Sequence, residues 1–399
     1  MNQPRSALQP LVYHRELKDY LKTHERELWD WFSSSQARLN YTETLRLDLL
    51  KATYRLDPET HAELYRVAEE AKAALELSIP LTVYQSQHIG SNATLYYIPG
   101  EGHIVFSGPL LSLLTPQELK AVIAHELAHY VLWQEEAGEY LIADRLLQTI
   151  AHDAGAAESH VESARLFQLY TEIYADRGSY CVTRDLNAVV SSLVKTETGL
   201  QQVSAASYLK QAEEIFNHAK VSTDALSHPE SFMRARSLSL WAEERPDGHD
   251  QIVAMIEGDR GVNNLDLLGQ ARLTAKTRSL LSHLLTPKWF QTDAVLGHAK
   301  MFFADFKPAK AGNGFDPASF KTKDRNLREY YCYLLLDFVV ADPELNEMPL
   351  AAALELSRQL EIDTEFERLV SKELKVKGRE LTKIKSEAAN MLAAMEAAP

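Results

Sequence analysis

The chain has 399 residues, 45% of them apolar and 25% charged, the composition of an ordinary globular protein of two or three domains. Its net charge of -14 argues against non-specific nucleic-acid binding and against docking on anionic lipid, both of which need a basic face. The only two cysteines, Cys181 and Cys332, exclude a disulfide framework and read as buried thiols of a reducing compartment.

The first twenty or so residues lack the apolar core that a signal peptide needs. Positions 1–57 are polar and helix-prone, with aromatic anchors at Tyr20, Trp29, Trp31 and Phe32, and form an N-terminal helical segment. Helical periodicity follows over 59–78. Pro80 then marks a switch to period two: "LTVYQ" (81–85), "ATLYYIP" (93–99) and "HIVFS" (103–107) predict strands, with "PGEG" as the turn between the last two. "TPQE" (115–118) predicts a helix start, with Thr115 as N-cap, Pro116 in the first turn and Glu118 closing a capping box.

That helix carries "KAVIAHELAHYVLWQ" (120–134), an apolar segment holding two histidines and a glutamate. Residues four apart share a helix face, so His125 and His129 can both reach one ion. Glu126 lies about a third of a turn round, beside the ion rather than on it. Two imidazoles that bind Zn²⁺ and a carboxylate that takes a proton from water are the parts of a zinc hydrolase. A catalytic zinc needs a third protein ligand. Leu132 and Glu135 stand where a metzincin would place glycine and histidine, and 145–155 contain no glutamate. Helices are predicted over 137–152 and 157–184. The second contains "LYTEIYADRGSY" (169–180), where Glu172 and Asp176 are four apart. One can bind zinc while the other accepts the ring N–H of a ligand histidine. His160 is the alternative third donor.

The order "HELAH" then "EIYADR" resembles the gluzincin peptidases related to the HtpX membrane protease and the CaaX prenyl protease, whose pattern is HExxH followed by ExxxD. The segment from "SNATLYYIPG" to the HELAH helix is similar to the edge-strand, strand and active-site-helix unit of that family. "SHPESFMRARSL" adds the family's His-Pro pair with an arginine six residues after the histidine, as His228, Pro229 and Arg234. The resemblance covers about 58–245. It implies a predominantly helical α+β zincin with a small sheet and one Zn²⁺ per chain, held by His125, His129 and Glu172. It implies Glu126 as general base, Asp176 as support for a ligand histidine, His228 as oxyanion donor, and Arg234 as the residue that orients the third-ligand helix or its carboxylates. An edge strand in such enzymes pairs with an extended peptide or protein substrate, a role that falls to Asn92, Ala93, Thr94, Leu95 and Tyr96. HtpX and the prenyl protease are membrane-embedded. Here 130–171 carry charges throughout and no spanning segment, which points to a soluble branch and a cytoplasmic location.

Helices continue to about 245, interrupted near 227–229. "EERPDGHDQ" (243–251) is the expected domain boundary. From 264 to 370 the pattern is helical, broken at 306–324. The part from 327 resembles the TerB-like helical domain, through an apolar helix, an acidic turn and a second helix with Ala353, Leu356 and Leu360. It is an all-α domain with no catalytic constellation and a site for a protein partner. Positions 371–399 predict a solvated helical tail. The competing function is a scaffold that keeps zinc structurally while the helical domain does the work. An intact Glu126 counts against it, because a structural site needs no base.

Overall fold

The computed structural model describes residues 8–218, 231–258, 261–308, 314–376 and 378–396. They divide into two compact units. The first runs to residue 259 and takes in 266–268, and the second comprises 260–265 and the chain from 269 on.

The first unit opens with three helices, α1 (Val12–His24), α2 (Arg26–Ser33) and α3 (Ser35–Ala52), before the strand β1 (Thr53–Arg55). After α4 (Ala62–Ala74) come β2 (Leu81–Ser86), β3 (Asn92–Ile98) and β4 (Glu101–Ser107). The sheet order is β1-β2-β4-β3: β2 and β4 are parallel, and the other two pairs are antiparallel. β4 is buried along almost its whole length, as befits a central strand, and β3 is an edge. β1 is the difference from the sequence reading. Three residues are too few for a period-two pattern, and only pairing with β2 makes "TYR" a strand.

The remaining helices are α5 (Leu110–Leu113), α6 (Pro116–Gln134), α7 (Glu139–Ala151), α8 (Glu158–Thr183), α9 (Leu186–Thr198), α10 (Ala205–His218), α11 (Ser231–Ala242) and α12 (Gly248–Glu257). Val67 and Ala71 of α4 and Ile123 and Leu127 of α6 share a core with Val83, Ile104 and Phe106 of the sheet. The charged break at 243–251 does not end this unit. Gly248 starts α12, and its Ile252, Met255 and Ile256 bury against Leu146, Phe167 and Leu268. Three apolar residues at helical spacing outweigh the turn signal of Pro246.

The second unit contains helices and no strand among the described residues: α13 (Leu267–Leu284) from residue 269 on, α14 (Asp293–Phe302), α15 (Arg325–Val339), α16 (Met348–Gln359), α17 (Asp363–Glu373) and α18 (Gly378–Glu396). Its core joins Leu281, Phe290, Leu335, Phe338, Leu354 and Phe366. Leu381 and Ile384 of α18 enter that core, so the expected solvated tail is one turn of packed helix at least. Both cysteines are buried free thiols. Among the described residues no helix is long and apolar enough to cross a membrane.

Candidate active site

The capping box that starts α6 is complete: the Thr115 N–H donates to Glu118 Oε2 (2.8 Å) and the Glu118 N–H to Thr115 Oγ1 (3.3 Å). Glu118 also takes Lys195 Nζ of α9 at 2.8 Å, a buried ion pair that ties the helix entry to the next layer. α8 lies against α6 at very close range because Gly178 faces Ala128. A methyl group at Gly178 would overlap the Ala128 side chain. The Ser179 hydroxyl, one residue on, donates to the Ala121 carbonyl at 2.8 Å. This contact sets the HELAH face of α6 opposite Glu172 and Asp176.

His125 Nε2 and His129 Nε2 stand 3.2 Å apart and both face Glu172, at 3.4 and 3.7 Å. One donor atom from each of these three residues lies within 4.8 Å of the other two, a candidate metal site. Asp176 Oδ1 is 3.0 Å from His125 Nδ1. Arg234 of α11 donates to both Asp176 oxygens, at 2.8 and 2.6 Å, and its third nitrogen lies 3.1 Å from Glu172 Oε2. Glu126 points elsewhere: its Oε2 accepts the Leu95 N–H of β3 at 2.7 Å.

The electrostatics fit a cation. Burial lowers the His125 pKa, but hydrogen bonds to Asp176 and Glu172 win and push it up to about 10. Burial, joined by the charge on His125, drives His129 down to about 3. Two imidazole nitrogens and a carboxylate thus converge on one point. A divalent cation matches that donor set of two imidazoles and a carboxylate. Burial opposes ionisation of Asp176, yet Arg234 and His125 hold it below the usual carboxylate range. Burial, with the Glu172 charge beside it, raises Glu126 to about 7 against the pull of His125.

A family model described as Peptidase family M48 matches residues 55–242, a span that includes the HELAH helix, Glu172, Asp176 and Arg234. Residues 55–242 belong to peptidase family M48. The HtpX-type resemblance of the sequence is thereby borne out for this segment, while the match ends before the stretch read as TerB-like. The chain is similar to the plastoglobule-localized metallopeptidase 48, chloroplastic, of Arabidopsis thaliana, 29% identical over 201 residues, which are 45% of this chain and 57% of that protein. It is also similar to a protease HtpX homolog of Thermoplasma volcanium, 34% identical over 84 residues, 21% of this chain and 27% of the relative. The chain thus spans less than two thirds of the length of either relative. No solved structure matches.

In the M48 domain the site opens into a cleft of about 680 Å³. Asn92, Ala93, Thr94 and Leu95 line one wall, whereas Tyr96 does not line it. Leu95 differs from its expected role, since its N–H is already given to Glu126. Alternate residues of an antiparallel edge strand point outward, so the groups left for an incoming chain are those of Ala93 and the Leu95 carbonyl. His228 lies outside the described residues. His160 sits at the far end of α8 with Glu25 at 3.1 Å, away from the site.

Sequence reasoning missed the opposite wall, Ser192, Leu193, Thr196 and Glu197 of α9, because nothing in "SSLVKTET" signals a cleft. It also missed Trp133. This ring stacks on His129 (centroids 5.5 Å apart), and neither Trp133 Nε1 nor His129 Nδ1 has a partner among the described residues. The signal was available, since Trp133 follows His129 by four residues on the same helix face.

Proposed function

We propose that this chain is a zinc-dependent endopeptidase that hydrolyses peptide bonds of peptide or protein substrates through an activated water, with no covalent intermediate. His125, His129 and Glu172 would hold one zinc ion per chain. Bound there, zinc supplies Lewis acidity toward the scissile carbonyl and the attacking water.

The observation that carries this reading is the hydrogen bond from Leu95 to Glu126, which fixes the base to the strand that would carry the substrate. A purely structural metal site needs no base beside its ligands. Glu126 accepts a proton from the attacking water and delivers it to the leaving amine. Asp176 fixes the His125 ring, and Arg234 holds Asp176 and Glu172 together against their mutual repulsion. The outward main-chain groups of Ala93 and the Leu95 carbonyl pair with an extended peptide. His228 is assigned to the oxyanion by resemblance alone. The family of the 55–242 segment and the printed names of both relatives, a metallopeptidase and a protease, support the same activity. The buried free cysteines support a reducing compartment such as the cytoplasm. The helical second unit is assigned partner recruitment.

Zinc titration into chelator-treated protein tests the ligand set. Wild type should bind one equivalent, and His129→Ala or Glu172→Gln should lose roughly 10-fold or more in affinity. Undiminished zinc binding in both variants would overturn the assignment.

A further inference from the structure

The second unit contains a cleft of about 570 Å³ whose charge is opposite to that of the chain. Counting Lys and Arg against Asp and Glu, the acid excess of the molecule lies in residues 1–268, and residues 269–399 are close to neutral. Within that near-neutral unit, five cations line one cleft: Lys323, Arg325 and Arg328 at the start of α15, and Arg368 and Lys372 on α17. The cleft has two carboxylates, Glu329 and Glu365. Glu365 is already taken, since Arg328 Nε donates to it at 2.8 Å and Arg328 Nη2 also donates to the Glu361 carbonyl at 2.6 Å. Lys372 lies 2.9 Å from Glu373. Lys323, Arg325 and Arg368 have no carboxylate partner among the described residues.

The arrangement is linear. Arg325, Arg328, Glu329, Cys332 and Tyr333 follow the 3–4 spacing of one helix face, and so do Glu365, Arg368, Leu369 and Lys372. At 1.5 Å per residue each face runs for roughly 10–12 Å. That is too long for one carboxylate or phosphate and fits about three residues of extended chain. The walls are not purely ionic. Tyr333, 40% exposed, and the largely buried Leu369 both line the cleft and give it an apolar strip among its cations.

We propose that the cleft between α15 and α17 binds an acidic peptide segment, with Lys323, Arg325 and Arg368 taking its carboxylates and the Tyr333–Leu369 strip an apolar side chain. A nucleic-acid strand would meet the same cations, but its phosphates would face a molecule of net charge -14, whereas a short acidic peptide places its charges only where the cations are. The inference is independent of proteolysis, because the cleft shares no residue with the M48 domain.

Fluorescence anisotropy on the full chain tests it. The probe is an end-blocked, labelled hexapeptide of alternating glutamate and leucine, checked by mass spectrometry to be intact after each run. The proposal expects saturable binding that weakens with salt and disappears when glutamine replaces glutamate. Arg325→Glu/Arg368→Glu should weaken it roughly 10-fold or more, and the milder Arg325→Gln/Arg368→Gln about threefold. All four replacements are at exposed positions, so the fold is kept. Lys288→Glu/Lys300→Glu changes net charge equally at exposed sites outside the cleft and should leave binding intact. Equal affinity for the glutamine peptide, equal loss in the control variant, or tighter binding of an RNA hexanucleotide than of the glutamate peptide would each overturn the proposal.

Discussion

Three carboxyl groups, Glu126, Glu172 and Asp176, occupy one buried site, and one arginine holds two of them in place. Arg234 reaches Asp176 with two nitrogens and Glu172 with a third, so removing it would leave an uncompensated buried charge. His125, Glu126, His129 and the Glu172–Asp176 pair were all legible in the sequence, because a spacing of four converts directly into a shared helix face. Arg234 was legible only through a family pattern. The Leu95–Glu126 bond was not legible, since it depends on how a strand is laid over a helix 31 positions away. A second buried histidine provides a pH test. His14 is enclosed by Phe167, Tyr140 and Tyr174, with Nε2 3.2 Å from Thr171 Oγ1, and burial pushes its pKa down to about 3. Its folded-state pKa is therefore below the unfolded value of about 6.5. The unfolded chain takes up a proton that the folded chain refuses, so stability falls as pH drops from about 6.5 toward 3, by up to about 1.4 kcal/mol per pH unit. His14→Phe removes that contribution. Denaturant unfolding at pH 7 and pH 5 should show a smaller loss in the variant than in wild type. Identical losses would mean that His14 titrates normally.

At the scale of elements, the site depends on how closely α8 approaches α6. Long periodic helices such as α6 and α8 were readable from apolar spacing, and the capping box fixed where α6 begins. The closeness was not readable, because a glycine inside a helix has no one-dimensional signature of what it touches. Gly178→Ala should cost about 1–3 kcal/mol by overpacking against Ala128. It should also weaken metal binding, as Glu172 and Asp176 are pushed away from the two histidines. Ala128→Gly in the same chain moves the missing methyl to the other helix and should restore much of the metal affinity. Denaturation curves and zinc titrations on the two single variants and the double variant check this. A double variant no better than Gly178→Ala would show that the contact does not set the site.

At the scale of the whole molecule, the charged stretch 243–251 read as a boundary because proline, glycine and five charged residues outweigh anything apolar within it. The helix that follows reverses that reading only when its apolar residues find Leu146 and Phe167, which no local window contains. A chain ended at residue 268 keeps α12 together with Leu267 and Leu268, whereas a chain ended at 250 loses five buried apolar side chains from one core. At roughly 1.5–3 kcal/mol for each buried side chain, the shorter piece should be unfolded or aggregated. The longer piece should keep a cooperative melt and bind zinc. Equal solubility and metal content in both would show that α12 is dispensable to the first unit.

The central claim is that Glu126 moves the proton in a metal-dependent peptide hydrolysis. The direct measurement is cleavage of a quenched fluorescent peptide library by zinc-loaded wild type and zinc-loaded Glu126→Gln, with metal content determined on the same samples. One zinc per chain is expected in both proteins, with cleavage by wild type that stops on chelation and a loss of roughly 10²–10⁴ in turnover for the variant. A variant that cleaves at the wild-type rate with its zinc in place, or a fully loaded wild type that cleaves nothing in the library, would contradict it.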